Sequence, residues 1–257
     1  MKRKILVGCL IVVLVPLFGG GGFFYWLLHR TGGEYFDSNG TKIHYTVDGA
    51  GDPVILIHGL AANADLNWRR PGVTRTLAKD FQVIAFDCRG HGRSDQPTDP
   101  AKYGMEMVAD IFRLMDHLGI EEAHAAGYSM GGFLLLRALT TRPERLRSAA
   151  ICAAGWKDPD KPGGIPNPYQ PPKEAALPSR QSAGVLPAAS KNSVIHRVRR
   201  SIGDRIVNRA ALQAMKQTFS KAPVTAEDLR ANTVPTICFI GTRDGLKPLA
   251  EDLRDEM

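Results

Sequence analysis

Between residues 54 and 153, short apolar runs alternate with longer stretches whose apolar residues recur every three or four positions. Val54-Ile-Leu-Ile57, Phe81–Phe86, Ala123–Tyr128 and Ser148–Ala153 have the length and continuous apolar character of strands buried on both faces. Between them, Trp68–Ala78, the set Met105, Val108, Ile111, Phe112, Met115 and Leu118, and Met130–Thr140 carry the helical period. Upstream, Glu34–Asp37 and Lys42–Val47 flank Asn39-Gly40, which predicts a hairpin with a tight turn. Strands alternating with helices predict an α/β fold, with a mostly parallel sheet covered by helices on both faces.

The texture changes at Trp156. Eight of the 17 prolines fall between Pro159 and Pro187, and Ser193–Phe219 is helical in pattern and rich in arginine. Pro235–Ile240 then resumes a buried-strand run. An interruption of this length without structure would be unusual inside a domain, so an inserted helical cap is expected. The divisions predicted are a core over 31–155, a cap over 156–232 and a resumed core over 233–257.

Charge sharpens that division. The net charge of +7 resides entirely in residues 156–232, and the rest of the chain is balanced. No basic run is interleaved with aromatics, so nucleic acid is not an expected partner. Within the cap, Ile195, Val198, Ile202 and Ile206 form an apolar stripe beside Arg197, Arg199, Arg200 and Arg205. Such a helix suits either a solvated cover over the site or an anionic bilayer surface. The four cysteines, Cys9, Cys88, Cys152 and Cys238, are widely spaced and have no zinc-ligand pattern; the last three lie in or beside apolar strand-like runs, so buried free thiols and no metal are expected.

Residues 1–30 read as a segment outside the fold. Lys2, Arg3 and Lys4 precede 24 uncharged residues, 5–28, with Phe23, Phe24, Tyr25 and Trp26 near their far end. A helix of that length spans a bilayer of about 30 Å, with its basic end in the cytoplasm. A membrane anchor is expected, with cleaved signal peptide as the alternative; both place the domain outside the cytoplasm.

The chemistry gathers at Gly127-Tyr-Ser-Met-Gly131, a G-x-S-x-G sequence that follows a predicted buried strand and opens a predicted helix. That context is what a strained strand-to-helix turn presenting a nucleophilic serine requires. Tyr128 beside the serine is expected to pack. Three further marks accompany the motif: His58-Gly59-Leu60 after the first buried strand, Asp87-Cys-Arg-Gly-His-Gly-Arg-Ser94 after the second, and Gly241-Thr-Arg-Asp244 after the late one. In order and spacing these resemble the α/β-hydrolase fold family over residues 34–257.

The resemblance implies a serine hydrolase of carboxylic esters, esterase- or lipase-like, needing no cofactor and acting on a small ester or lipid. Ser129 would be the nucleophile and Asp244 the acid that orients a histidine, with Asp158 a weaker alternative. The N–H groups of Leu60 and Met130 would form the oxyanion hole, supported by His58, Gly59, Gly127 and Gly131. A serine nucleophile argues against the dehalogenase and epoxide-hydrolase branches; perhydrolases and C–C hydrolases share every motif. The family places its histidine after the acid, whereas His29, His44, His58, His91, His117, His124 and His196 all precede Asp244. The chain is therefore expected to continue past Met257 to supply that histidine; the alternative is a relic that keeps the fold without the catalysis.

Overall fold

The computed structural model describes residues 32–156, 158, 208–218 and 224–257. The proposed anchor, most of the proposed cap, His29 and His196 lie outside the described residues. The chain divides into two units, Met1–Gly33 and Glu34–Met257, and the second holds every element described here. Among the described residues no helix is long and apolar enough to cross a membrane.

Seven strands form one sheet: β1 (Glu34–Asp37), β2 (Lys42–Asp48), β3 (Asp52–Ile57), β4 (Phe81–Phe86), β5 (Ala123–Tyr128), β6 (Leu146–Cys152) and β7 (Thr236–Phe239). Their order across the sheet is β1-β2-β4-β3-β5-β6-β7. β1, β2 and β4 pair antiparallel, and the remaining pairs are parallel. The hairpin turns at Asn39 and Gly40, both at positive φ (55° and 73°), the conformation for which Asn-Gly is suited.

Among the described residues six helices connect or follow the strands: α1 (Val73–Leu77), α2 (Met105–His117), α3 (Met130–Thr141), α4 (Arg209–Thr218), α5 (Ala226–Arg230) and α6 (Lys247–Glu256). The single helix expected over Trp68–Ala78 is instead two pieces, a π-helical turn at Asp65–Arg69 and the short α1. Pro71 and Gly72 explain the break: proline cannot continue the first piece, and Gly72 sits at φ 88°.

The pleat sorts the central strands into two cores. Val54, Leu56, Val83 and Ala85 face the π-turn and α1, packing on Trp68 and Ala64. Ile55, Ile57, Ile84 and Phe86 face α2 and α3, with Ile111, Leu114, Met115, Leu135 and Leu139. Each such aliphatic side chain contributes about 1.5–3 kcal/mol by leaving water. Met105, expected on the buried stripe of α2, is exposed instead.

β7 differs from the buried strand its sequence suggests. It closes one edge of the sheet, and Ile237 and Phe239 are 53% and 56% exposed. An apolar groove of about 570 Å³ between β7 and α6, lined in part by Val234, Ile237 and Ile240, runs along it. Of the expected cap, the described portions are α4, α5 and the flanking residues, and they are tied to the core. The Asn208 N–H donates to Gln96 Oε1 (2.7 Å), and Trp156, whose backbone N–H donates to the Leu249 carbonyl (2.8 Å), holds the Val224 carbonyl with its indole N–H (2.7 Å). Cys88, Cys152 and Cys238 are free thiols, Cys88 fully buried and the other two half-buried.

Candidate active site

The carboxyl ends of the parallel strands carry every residue singled out for chemistry. Ser129 follows β5 and precedes α3 at φ 50° and ψ −111°. A non-glycine residue at positive φ stores strain of order 1–3 kcal/mol, held here by its surroundings. The Ser129 N–H donates to the Cys152 carbonyl (2.8 Å), and the next strand end repeats the pattern, Ala153 N–H to the Phe239 carbonyl (2.8 Å). These bonds align the ends of β5, β6 and β7. Among the described residues four non-glycine residues have positive φ; two of them, Ser129 and Ala153, directly follow β5 and β6, and a third, Ala61, lies in the turn after β3.

The glycines of the motif are required by close approach. A Cβ on Gly127 would fall on the Gly131 carbonyl, one on Gly131 would fall on the Ile57 carbonyl, and one on Gly132 would come within 2.6 Å of the Ala154 Cβ. The start of α3 is therefore pressed against β5 and β3, which brings the amino end of its helix dipole behind Ser129. Ser129 itself is half-buried. Tyr128, expected to pack, is instead 43% exposed and lies against Gly59, where an added Cβ would meet its Cδ1 at 3.0 Å.

The turn after β3 lies beside this elbow. A Cβ built on Gly59 would stand 3.4 Å from the Ser129 Cβ, so the two motifs are adjacent in space. His58 is fully buried, and both ring nitrogens are engaged. The Cys88 N–H donates to Nε2 (2.9 Å), which places the proton on Nδ1, and Nδ1–H donates to the Gly59 carbonyl (2.8 Å). Burial holds the His58 pKa below the usual histidine range, against the field of Asp87. His58 is therefore a neutral brace and not a base. Neither the Leu60 nor the Met130 N–H is taken up by a carbonyl of another element among the described residues.

Two clamps hold this turn, and only the first carries no sequence signature of its own. Asn67, in the π-turn, accepts the Gly59 N–H at 2.7 Å. Asp87, at the end of β4, accepts the Ala64 N–H on Oδ1 and the Arg93 N–H on Oδ2, both at 2.9 Å, and faces His44 Nδ1 at 3.2 Å. Burial works to raise the Asp87 pKa, but His44, His58 and the two N–H donors outweigh it and leave it below the carboxylate range. The Asp87–Ser94 motif was legible as a pattern; its work, holding the far end of the 58–64 turn, was not.

Asp244 sits on the turn between β7 and α6, half-buried, with Oδ1 accepting the Leu246 N–H at 2.9 Å. Its strand, β7, lies two places from β5 with β6 between them, so Asp244 and Ser129 both follow the carboxyl ends of parallel strands. The five described histidines are all engaged elsewhere. His44 faces Asp87, His58 braces Gly59, His91 lies against the Arg89 carbonyl, His117 meets the Tyr45 hydroxyl, and His124 meets Ser148. Among the described residues no cluster of side chains could hold a metal ion.

Comparison with known proteins fits this architecture. Residues 52–248 match the model of the alpha/beta hydrolase fold family. A relative from Azorhizobium caulinodans, provisionally named a carbamate hydrolase, is 36% identical over 126 residues, covering 49% of this chain and 46% of its own length. The chain thus spans less than half of that relative. A non-heme chloroperoxidase from Streptomyces lividans is 29% identical over 240 residues, 85% of this chain and 84% of that protein. Among solved structures, the enol-lactonase from Burkholderia xenovorans LB400 superposes with a TM-score of 0.61 at 24% identity, covering 87% of each chain, a likeness of fold. With the family's match extending from β3 into α6 and the serine elbow at its centre, the chain belongs to the alpha/beta hydrolase fold family.

Proposed function

We propose that the protein is a serine hydrolase that cleaves carboxylic esters. The observation that carries this reading is Ser129 at positive φ between β5 and α3, beside the Gly59 turn. Ser129 Oγ attacks the acyl carbon, and the oxyanion accepts from the Leu60 and Met130 N–H groups. The alcohol leaves with a proton, and water then cleaves the acyl-enzyme to free acid and serine. A histidine oriented by Asp244 serves as base, supplied from outside the described residues. Residues 5–28 hold the domain at a membrane, outside the cytoplasm, where small or lipid-like esters are the fitting substrates.

A second reading has its own support. Among the relatives, a chloroperoxidase and a haloperoxidase are matched over more than four fifths of their length. In that reading hydrogen peroxide replaces water on the same acyl-enzyme and releases a peracid. One preparation of the full-length protein tests both, by p-nitrophenyl acetate hydrolysis and by peroxide-dependent bromination. Ser129→Ala is expected to lower the active reaction at least about 1,000-fold. Equal turnover by wild type and Ser129→Ala refutes the assignment.

A further inference from the structure

The turn that would supply half of the oxyanion hole is fixed by two peptide units meeting at Gly59. The unit joining Gly59 to Leu60 is held through its carbonyl, which accepts from His58 Nδ1–H at 2.8 Å. In a planar trans peptide the N–H points opposite to the C=O, so this bond sets the direction of the Leu60 N–H. The unit joining His58 to Gly59 is held through its N–H, which donates to Asn67 Oδ1 at 2.7 Å. Between the two units lies only the Gly59 Cα, with no Cβ to restrict its dihedrals. Without Asn67 the His58–Gly59 unit loses its N–H anchor, and the Leu60 N–H is aimed by the His58 Nδ1 bond alone.

Asn67 is itself well placed for this work. It lies in the π-helical turn Asp65–Arg69, an irregularity often found at functional sites. Its own N–H donates to the Asn63 carbonyl (3.1 Å), while Asn63 Oδ1 accepts the Leu66 N–H (2.9 Å). Next to it, Trp68 anchors the turn in the core beneath β3 and β4. The side chain that grips Gly59 is therefore borne on a buttressed element. The same bond consumes the Gly59 N–H, so that of two successive donors only Leu60 remains for a ligand.

We infer that Asn67 is a positioning residue for acyl transfer: by holding the Gly59 N–H it aims the Leu60 N–H at the oxyanion. This rests on the serine-hydrolase reading. It acts through Leu60 and touches no substrate, so its loss should lower kcat and leave KM nearly unchanged.

The test uses the full-length protein and p-nitrophenyl acetate, with amide exchange at Gly59 followed by NMR. Asn67→Ser, too short to reach Gly59, is expected to lose about 10- to 100-fold in kcat, less than or comparable to removal of an oxyanion donor, with KM within threefold. Its Gly59 amide should exchange at least about tenfold faster. Asn67→Asp keeps an acceptor and is expected to keep Gly59 protected within threefold of wild type. Wild-type kcat in Asn67→Ser, or a kcat loss without faster Gly59 exchange, overturns the inference. Failure of the hydrolase reading shows differently: wild type itself would have no turnover that depends on Ser129, and the inference would fall with it.

Discussion

Replacing Asp110 with alanine is expected to destabilise the protein by about 3–5 kcal/mol, the cost of leaving a buried charge without its partner. Arg89 is wholly buried, and its guanidinium meets Asp110 through two bonds, Nε to Oδ2 at 2.7 Å and Nη2 to Oδ1 at 2.5 Å. Nη1 also donates to the Lys102 carbonyl (2.7 Å), and the Ser38 hydroxyl donates to Asp110. One ion pair thus joins the β1–β2 turn, the loop after β4, the loop before α2, and α2 itself. Without the Asp110 carboxylate, Arg89 keeps its carbonyl partners and only the more distant Glu106 carboxylate, 3.8 Å from Nη2, as counter-charge. For a chain of this size the loss corresponds to a fall in Tm of roughly 6–20 °C. Scanning calorimetry or urea unfolding reads it directly. The double replacement Arg89→Met with Asp110→Leu should cost less than Asp110→Ala alone, because no charge remains to be desolvated. A change below 1 kcal/mol for Asp110→Ala would show that the pair does not hold these loops together.

Arg89 also marks the limit of what one sequence discloses. The strands and the serine elbow were legible because each rests on local rules: the apolar run of a buried strand, the helical period, and the glycines that a sharp turn needs. Ile55 and Leu56 announce a strand but also, by alternation, the two faces they serve. What joins distant segments leaves no such mark. Arg89 and Asp110 are 21 residues apart, with nothing in their spacing to connect them, and Asn67 reaches Gly59 from a turn expected to lie before an ordinary helix. Pairing between segments is a property of the folded sheet, and a single chain offers no covariation from which to read it. β7 failed for a related reason: Thr-Ile-Cys-Phe is as apolar as a central strand, and only the strand order shows that it stands at an edge. The same limit separates Ser129 and Asp244, whose turns are recognisable, from the clamps that set the turn between β3 and the π-helix.

Two buried histidines beside the same turn make stability depend steeply on acid. His58 and His91 are both fully buried, with rings 5.1 Å apart, and burial holds both in the neutral form. The His91 pKa is pushed down to about 3, chiefly by burial and then by the charge His58 would carry. His58 cannot accept a proton on Nε2 without expelling the Cys88 N–H, and His91 Nε2 is buried with no hydrogen-bond partner among the described residues. In the unfolded chain both titrate near the ordinary histidine value of about 6.5. Below that pH the unfolded state binds more protons than the folded one, so stability is full above about pH 6.5 and is lost progressively as pH falls toward the folded values. Each histidine contributes a slope of up to about 1.4 kcal/mol per pH unit, and the two together up to about 2.7. Urea unfolding at pH 7, 6, 5.5 and 5 should show the midpoint falling steadily across this window. His91→Phe, which keeps an aromatic ring but removes one titrating group, should roughly halve the slope. An unfolding free energy that stays level from pH 7 to pH 5 would mean that these rings accept protons in the folded state, and that the brace on Gly59 is looser than its two short hydrogen bonds require.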